Sequence, residues 1–181
     1  MEPAGIEPAT SCLQKLRNCG SWSPIRHNFQ PRLAGGMGST KRRGDRAELE
    51  VATELIRRGY RVAIPFGEDA DYDLILDRGQ RLERVQVKYA CSDGLTIVVR
   101  CRSVSLTHGK VRSTKRYTAA TIDWLAVFDA TTEECFFIPA WELGQGRNTL
   151  TLRLAPAANN QRVGIRHADR YRGLEQAARG P

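Results

Sequence analysis

The chain has 181 residues, 41% of them hydrophobic, and its 28 Lys and Arg against 20 Asp and Glu give a formal charge of +8. That suits one domain with a buried core and some excess at the ends. It excludes a helical membrane protein, because no apolar run approaches the roughly 18 residues of a spanning helix.

Residues 1–36 carry Pro3, Pro8, Pro24 and Pro31, few apolar residues and no lasting period, so they are expected to lie outside the fold. Their string Gly5 to Gln14 resembles one at the start of many unrelated bacterial translations, where it looks like the reading of a neighbouring transfer-RNA gene. Met37 is then the expected start. No apolar segment of a secretory signal is present. The cysteines are Cys12, Cys19, Cys91, Cys101 and Cys135, with no Cys-x-x-Cys and no zinc-spaced histidine pair. They point to a reducing cytoplasm, with the last three as small core side chains.

Lys41-Arg42-Arg43-Gly44 leads into an expected helix from Asp45 to Arg58, closed by Gly59. At 100° per residue, Val51, Ala52, Leu55 and Ile56 share one face, with Glu48 in its middle. A carboxylate aimed at a core is costly unless it is paired or holds a metal. Tyr60 to Pro65, where Tyr60, Val62 and Ile64 alternate, reads as a first strand. Tyr72–Leu76 and Leu82–Tyr89 read as a hairpin turning at Arg78-Gly79. That turn sets Asp73 opposite Arg84 and diagonal to Gln86, and the period of two gathers Asp73, Arg84, Gln86 and Lys88 on one face. Leu95 to Arg102 alternates again. Ser103 to Tyr117, with Lys110, Arg112, Lys115 and Arg116, has no period and reads as a loop able to lie along a nucleic-acid backbone. Ile122–Phe128 and Glu134–Ile138 form an apolar hairpin, followed by a helical turn at Trp141, a strand at Leu150–Leu154 and a terminal helix from Tyr171.

A carboxylate on one strand facing an amide-x-Lys on the next is a donor set for a divalent cation, with an ammonium placed to orient water or offset charge on a phosphate. The order helix with Glu48, strand, strand with Asp73, strand with Gln86-x-Lys88 resembles the PD-(D/E)xK nuclease superfamily. The branch it resembles most includes a homing endonuclease from a cyanobacterial group I intron, in which Gln likewise replaces the second acid. Gly44-x3-Glu48, Tyr72-Asp73-Leu74-Ile75 and Val85-Gln86-Val87-Lys88 carry the resemblance. Arg116-Tyr117, Ile122-Asp123 and Phe137-Ile138-Pro139 match more loosely. Tyr72 stands where the superfamily name has proline.

The resemblance implies an α/β, restriction-endonuclease-like core over residues 37–173, with 174–181 as a tail. Its centre would be a mixed sheet of about four strands flanked by helices. It implies hydrolysis of DNA phosphodiesters, with Asp73, Gln86 and Glu48 on Mg²⁺ or Mn²⁺ and Lys88 at the water or scissile phosphate. Lys41, Arg42, Arg43, Lys110, Arg112, Lys115 and Arg116 would contact DNA, and a homodimer or tetramer would cut both strands. The alternatives are a DNA-binding module of the same fold that no longer cuts, a structural protein in which Glu48, Asp73 and Lys88 form a core polar network, and a resolvase of branched DNA.

Overall fold

The structure, a computed structural model, describes residues 39–67, 70–107, 110–156 and 164–177. The leader, the Met37 start, Cys12 and Cys19 lie outside the described residues. Helix α1 runs from Ser39 to Arg57, six residues earlier than expected, because the basic run is itself helical rather than an approach to the helix. Lys and Arg are good helix formers, so nothing in Lys41–Arg43 stops the helix short. It ends as expected. Gly59 takes φ +84°, its N–H donates to Ile56 O (2.9 Å), and Tyr60 N–H reaches back to Leu55 O (3.1 Å), which is the paired closure that a left-handed glycine permits.

Ala47, Val51 and Leu55 are fully buried along α1, while Ala52 and Glu48 flank that line half-buried. Glu48 therefore sits at the rim of the apolar face rather than in its middle. Ile56, expected inward, is 60% exposed.

The central sheet has five strands: β1 (Arg61–Ala63), β2 (Leu74–Asp77), β3 (Leu82–Ala90), β7 (Trp124–Asp129) and β8 (Glu134–Pro139), in that spatial order. All neighbours are antiparallel except β3 and β7, which run parallel. The intervening chain forms two ribbons, β4 (Thr96–Arg100) with β9 (Thr149–Arg153), and β5 (Arg102–Thr107) with β6 (Lys110–Arg116). The latter replaces the expected loop. Val104 and Val111 on it are exposed, so the ribbon needs no sustained apolar row, and the one alternation it has, Val104 and Leu106 between Ser103, Ser105 and Thr107, is only two apolar residues long. A register shift between Ser105 and Leu106, which leaves Arg112 unmatched, breaks the period further.

α1 lies over the sheet face that carries Tyr89, Phe128 and Phe137, whose rings sit under the guanidinium groups of Arg43, Arg46 and Arg58. The core is continuous from this helix through the sheet to Ile97, Val99, Cys101, Leu150 and Leu152 on β4 and β9. Cys101 is buried, and burial pushes its thiol up to about 11; Cys135 is driven to about 12 by the same cause. Cys91 is exposed, against expectation, because it follows the last residue of β3. Trp141 does begin a turn, a 3-10 turn over Ala140–Leu143, and the expected terminal helix is shorter: a 3-10 turn, Ala168–Tyr171, then one α-helical turn, Leu174–Ala177.

Candidate active site

The β2–β3 turn spans Arg78 to Arg81, closed by Arg78 N–H to Arg81 O (2.9 Å), with Gly79 at φ +87°. It is centred one residue later than the sequence suggests. Leu74 pairs with Val85 and Ile75 with Arg84, so the strand offset moves by two and Asp73 comes directly opposite Gln86. An even shift keeps every side chain on its face. Arg84 leaves the group: it is bound to Asp123 and to Ala120 O.

Asp73, at the mouth of β2, uses one oxygen for the sheet. Its Oδ2 accepts the Val87 backbone N–H (2.7 Å) and the Gln86 Nε2–H, and Gln86 Nε2 also donates to Val87 O (3.2 Å). Oδ1 accepts no hydrogen bond from the described residues. Lys88 Nζ donates to Tyr117 Oη at 3.0 Å and stands 4.9 Å from the centre of that ring. The Glu48 carboxylate has no hydrogen bond or ion pair with any described residue. Burial raises the Asp73 carboxyl, against the pull of the Val87 N–H, Lys88 and Gln86. Burial also raises Glu48, and the negative charges of Asp73 and Asp45 add to it. Two neighbouring carboxyls that both resist ionisation mark a place where positive charge is wanted.

The cleft in front of them measures about 510 Å³, and Lys41, Asp45, Glu48, Tyr72 and Asp73 line it. Gln86 reaches Asp73 from the β3 side, and the Lys88 charge is near enough to draw the Asp73 carboxyl downward. The four residues singled out for chemistry are therefore brought together. Of those singled out for DNA, Lys41 is on the cleft wall, Arg42 and Arg43 are on the first turns of α1, and Lys115 is ion-paired to Asp71 at 2.8 Å. Arg116 is exposed at the root of the β5–β6 ribbon. The side chains of Lys110 and Arg112 lie outside those described. Sequence reasoning passed over Asp45, although its spacing of three from Glu48 places both on one side of a helix. It noted Tyr117 only as part of a motif; nothing local links that residue to Lys88.

The sequence matches the PD-(D/E)XK endonuclease family over residues 38–174. The chain belongs to that family. Endonuclease is the class of activity that membership assigns to it, and DNA the class of substrate. Among solved structures it is similar to a bacterial homing endonuclease, I-Ssp6803I, with a TM-score of 0.60 and 23% identity over 75% of this chain and 89% of that one. That likeness bears out the α/β, restriction-endonuclease-like core. No curated protein is detectably similar in sequence. No helix among the described residues is long and apolar enough to cross a membrane.

PD-(D/E)XK nucleases use divalent metal ions, and the donors here fit one. A half-buried Glu48 without a partner and a free Asp73 Oδ1 beside it are hard oxygen donors of the kind such cations take. Among the described residues no three acidic, histidine or cysteine side chains converge. Two carboxylates with an amide oxygen, a main-chain carbonyl and water is therefore the set available. Gln86 at present turns its nitrogen to Asp73, so its oxygen becomes a donor only after the amide rotates by half a turn.

Proposed function

We propose that the chain hydrolyses DNA phosphodiester bonds at Asp73, Gln86, Lys88 and Glu48, and that its ion is Mg²⁺ or Mn²⁺. The observation that carries this is a pair of carboxyls both raised by burial, Glu48 also by the charge of Asp73 and without a side-chain partner among the described residues, beside a fixed ammonium. Asp73 would hold the ion through Oδ1, with Glu48 and, after rotation, the Gln86 oxygen. A bound divalent ion supplies an acidified water and neutralises charge on the phosphate.

Lys88 faces the water or the scissile phosphate, and its tie to Tyr117 fixes where the ammonium stands. Lys41 on the cleft wall, with Arg42 and Arg43 beside it, attracts the DNA backbone; on the first turns of a helix their charges add to the positive end of its dipole. Lys110, Arg112, Lys115 and Arg116 continue that attraction along the β5–β6 ribbon. In this reading residues 37–173 form the nuclease domain, flanked by 1–36 and by a tail, 174–181. Two or four copies act together so that both strands are cut, which light scattering would check. The free thiols of Cys91, Cys101 and Cys135 suit the cytoplasm.

The test is cleavage of genomic, branched and single-stranded DNA by the full chain with Mg²⁺ or Mn²⁺, beside Asp73→Ala, with the new ends sequenced. Ion-dependent ends that vanish in the variant are expected. Equal, salt-dependent binding by both proteins without cleavage by either would overturn the catalytic reading in favour of a module that only holds DNA.

A further inference from the structure

The positive charge of this chain is concentrated. Residues 94–122 and 143–168 hold ten of the 28 Lys and Arg and none of the 20 Asp and Glu, so the remainder, 18 basic against 20 acidic, is slightly acidic. The fold lays these two acid-free stretches side by side. Arg100 on β4 is opposite Thr149 on β9, and Cys101 N–H donates to Asn148 O at 2.9 Å.

Three arginines meet at this junction. Arg102 and Arg116 are direct cross-strand partners at the root of the β5–β6 ribbon. The stem of Arg116 lies against Gly146, where a β-carbon would stand only 2.9 Å from Arg116 Cβ. Arg147 is the next residue, between Gly146 and the bonded Asn148, and it faces a cavity of about 640 Å³ shared with Trp141, Arg166 and Arg170. The side chains of Arg102, Arg116 and Arg147 are all exposed, and none of them has a hydrogen bond or ion pair with another described residue. On α1 and the central sheet the pattern is the reverse: Arg46, Arg58, Arg61, Arg78 and Arg84 each have a carboxylate within reach. Like charges directly opposite on paired strands cost stability. No carboxylate among the described residues pairs with Arg102 or Arg116 to offset that cost, and Glu142, which lines the same cavity as Arg147, is paired with Arg166.

We propose that Arg102, Arg116 and Arg147 clamp successive phosphates of one DNA strand, apart from the phosphate that is cut. The inference rests on DNA being the substrate. Guanidinium groups suit the task because they hold phosphate oxygens through paired N–H donors and stay charged. The place suits it too. Tyr117, next to Arg116, is bonded to Lys88, and Lys115 is bonded to Asp71, two residues from Asp73. A strand held at the clamp is thus set against the cleft by short covalent and hydrogen-bonded paths. Contacts of this kind position the duplex without reading its sequence.

The experiment is equilibrium binding of the full chain to a labelled duplex in EDTA, so that nothing is cut, over a range of salt. Replacing all three arginines by Gln should lower the slope of log affinity against log salt by about two to three, and Arg102→Gln or Arg147→Gln alone by about one. The single variants decide the matter if the triple variant folds poorly. Arg57→Gln, on α1, should leave the slope as it is. An unchanged slope in the triple variant and in both single variants would overturn the clamp. Asp73→Ala is run alongside: full slope with no cleavage separates the clamp from the active-site assignment, since either can then fail alone.

Discussion

Two aspartates meet β3 from opposite sides with nearly the same hydrogen bonds and opposite outcomes. Asp73, at the β2 edge, accepts the Val87 backbone N–H at 2.7 Å and a side-chain N–H from Gln86. Asp123, just before β7, accepts the Arg84 backbone N–H at 2.8 Å and the Arg84 Nε–H at 3.1 Å. The second donor is a neutral amide in one case and a guanidinium in the other. Burial raises Asp73, and the hydrogen bonds do not cancel it. Burial pushes Asp123 upward as well, but the Arg84 N–H, its guanidinium and Arg81 outweigh it and hold the carboxyl below its usual range. A carboxylate that the fold has satisfied is a structural staple; one that the fold has left short of positive charge is open to a cation. The pattern N–H plus side chain does not distinguish them, whereas the charge of the partner does.

Removing each carboxylate breaks the comparison most sharply. On the proposed assignment of Asp73 as the ion's ligand, Asp73→Ala should lower cleavage on the order of 10³-fold or more, while the salt dependence of DNA binding stays. Asp123→Ala should do the converse: a loss of about 1.5–3 kcal/mol, the worth of charge-assisted bonds, with cleavage per folded molecule kept. Urea denaturation and single-turnover rates read the two quantities. If Asp123→Ala stops cleavage in a protein that remains folded, the division between staple and site is wrong.

The two should also differ in sign with pH in the absence of divalent ions. The folded pKa of Asp123 lies below the unfolded value, so its contribution is present above the ordinary carboxylate range, near 4, and fades as pH falls through the lowered folded value. The folded pKa values of Asp73 and Glu48 lie above the unfolded ones. The folded state then binds more protons, and stability falls as pH rises from about 4 through the raised values. Asp73→Asn should flatten that fall. Asp123→Asn should flatten the loss on the acid side. Denaturation midpoints in EDTA between pH 3 and 8 check both; identical profiles for wild type and Asp73→Asn would show that the charge at Asp73 is not strained.

How much of this was open to sequence reasoning depends on what kind of order each part has. β2 and β3 are pressed against a core on one side, so their period of two survives in the sequence, and Asp73, Gln86 and Lys88 could be put on one face. The face held although the register was off by two, because Gly79 marked the turn without fixing its centre. α1 could be closed at Gly59 by its backbone demand, but its start could not be found, since helix-forming basic residues carry no stop. The β5–β6 ribbon was passed over: β5 alternates only through Val104 and Leu106, and β6, exposed and bulged, has no apolar row to betray it. The concentration of charge in residues 94–122 and 143–168 can be counted in the sequence. That the two stretches adjoin cannot, because only the β4–β9 pairing brings them together.

The neutral amide invites a test in the opposite direction. Gln86→Glu makes Asp73 face a third carboxylate, which without an ion should lower stability and with one should tighten Mg²⁺ binding by about tenfold, or roughly 1.4 kcal/mol. Calorimetric titration in the two proteins gives the ratio. Equal affinities would show that residue 86 does not reach the ion.

The smallest effect bears on the contact that joins the site to the basic ribbon. Tyr117 is buried, its ring lies 4.9 Å from Lys88 Nζ and its hydroxyl accepts the ammonium at 3.0 Å. Tyr117→Phe keeps the ring, and with it the attraction of its face for the cation, but removes the acceptor. The ammonium keeps its neighbourhood and loses its aim. A several-fold fall in the single-turnover rate is expected, in line with a near-attack geometry that has loosened rather than vanished, with DNA affinity unchanged. Tyr117→Leu, which removes the ring as well, should fall further. If Phe and Leu are equally slow, the hydroxyl alone fixes Lys88; if neither slows the reaction, Tyr117 serves the core and the ribbon is not coupled to the chemistry through it.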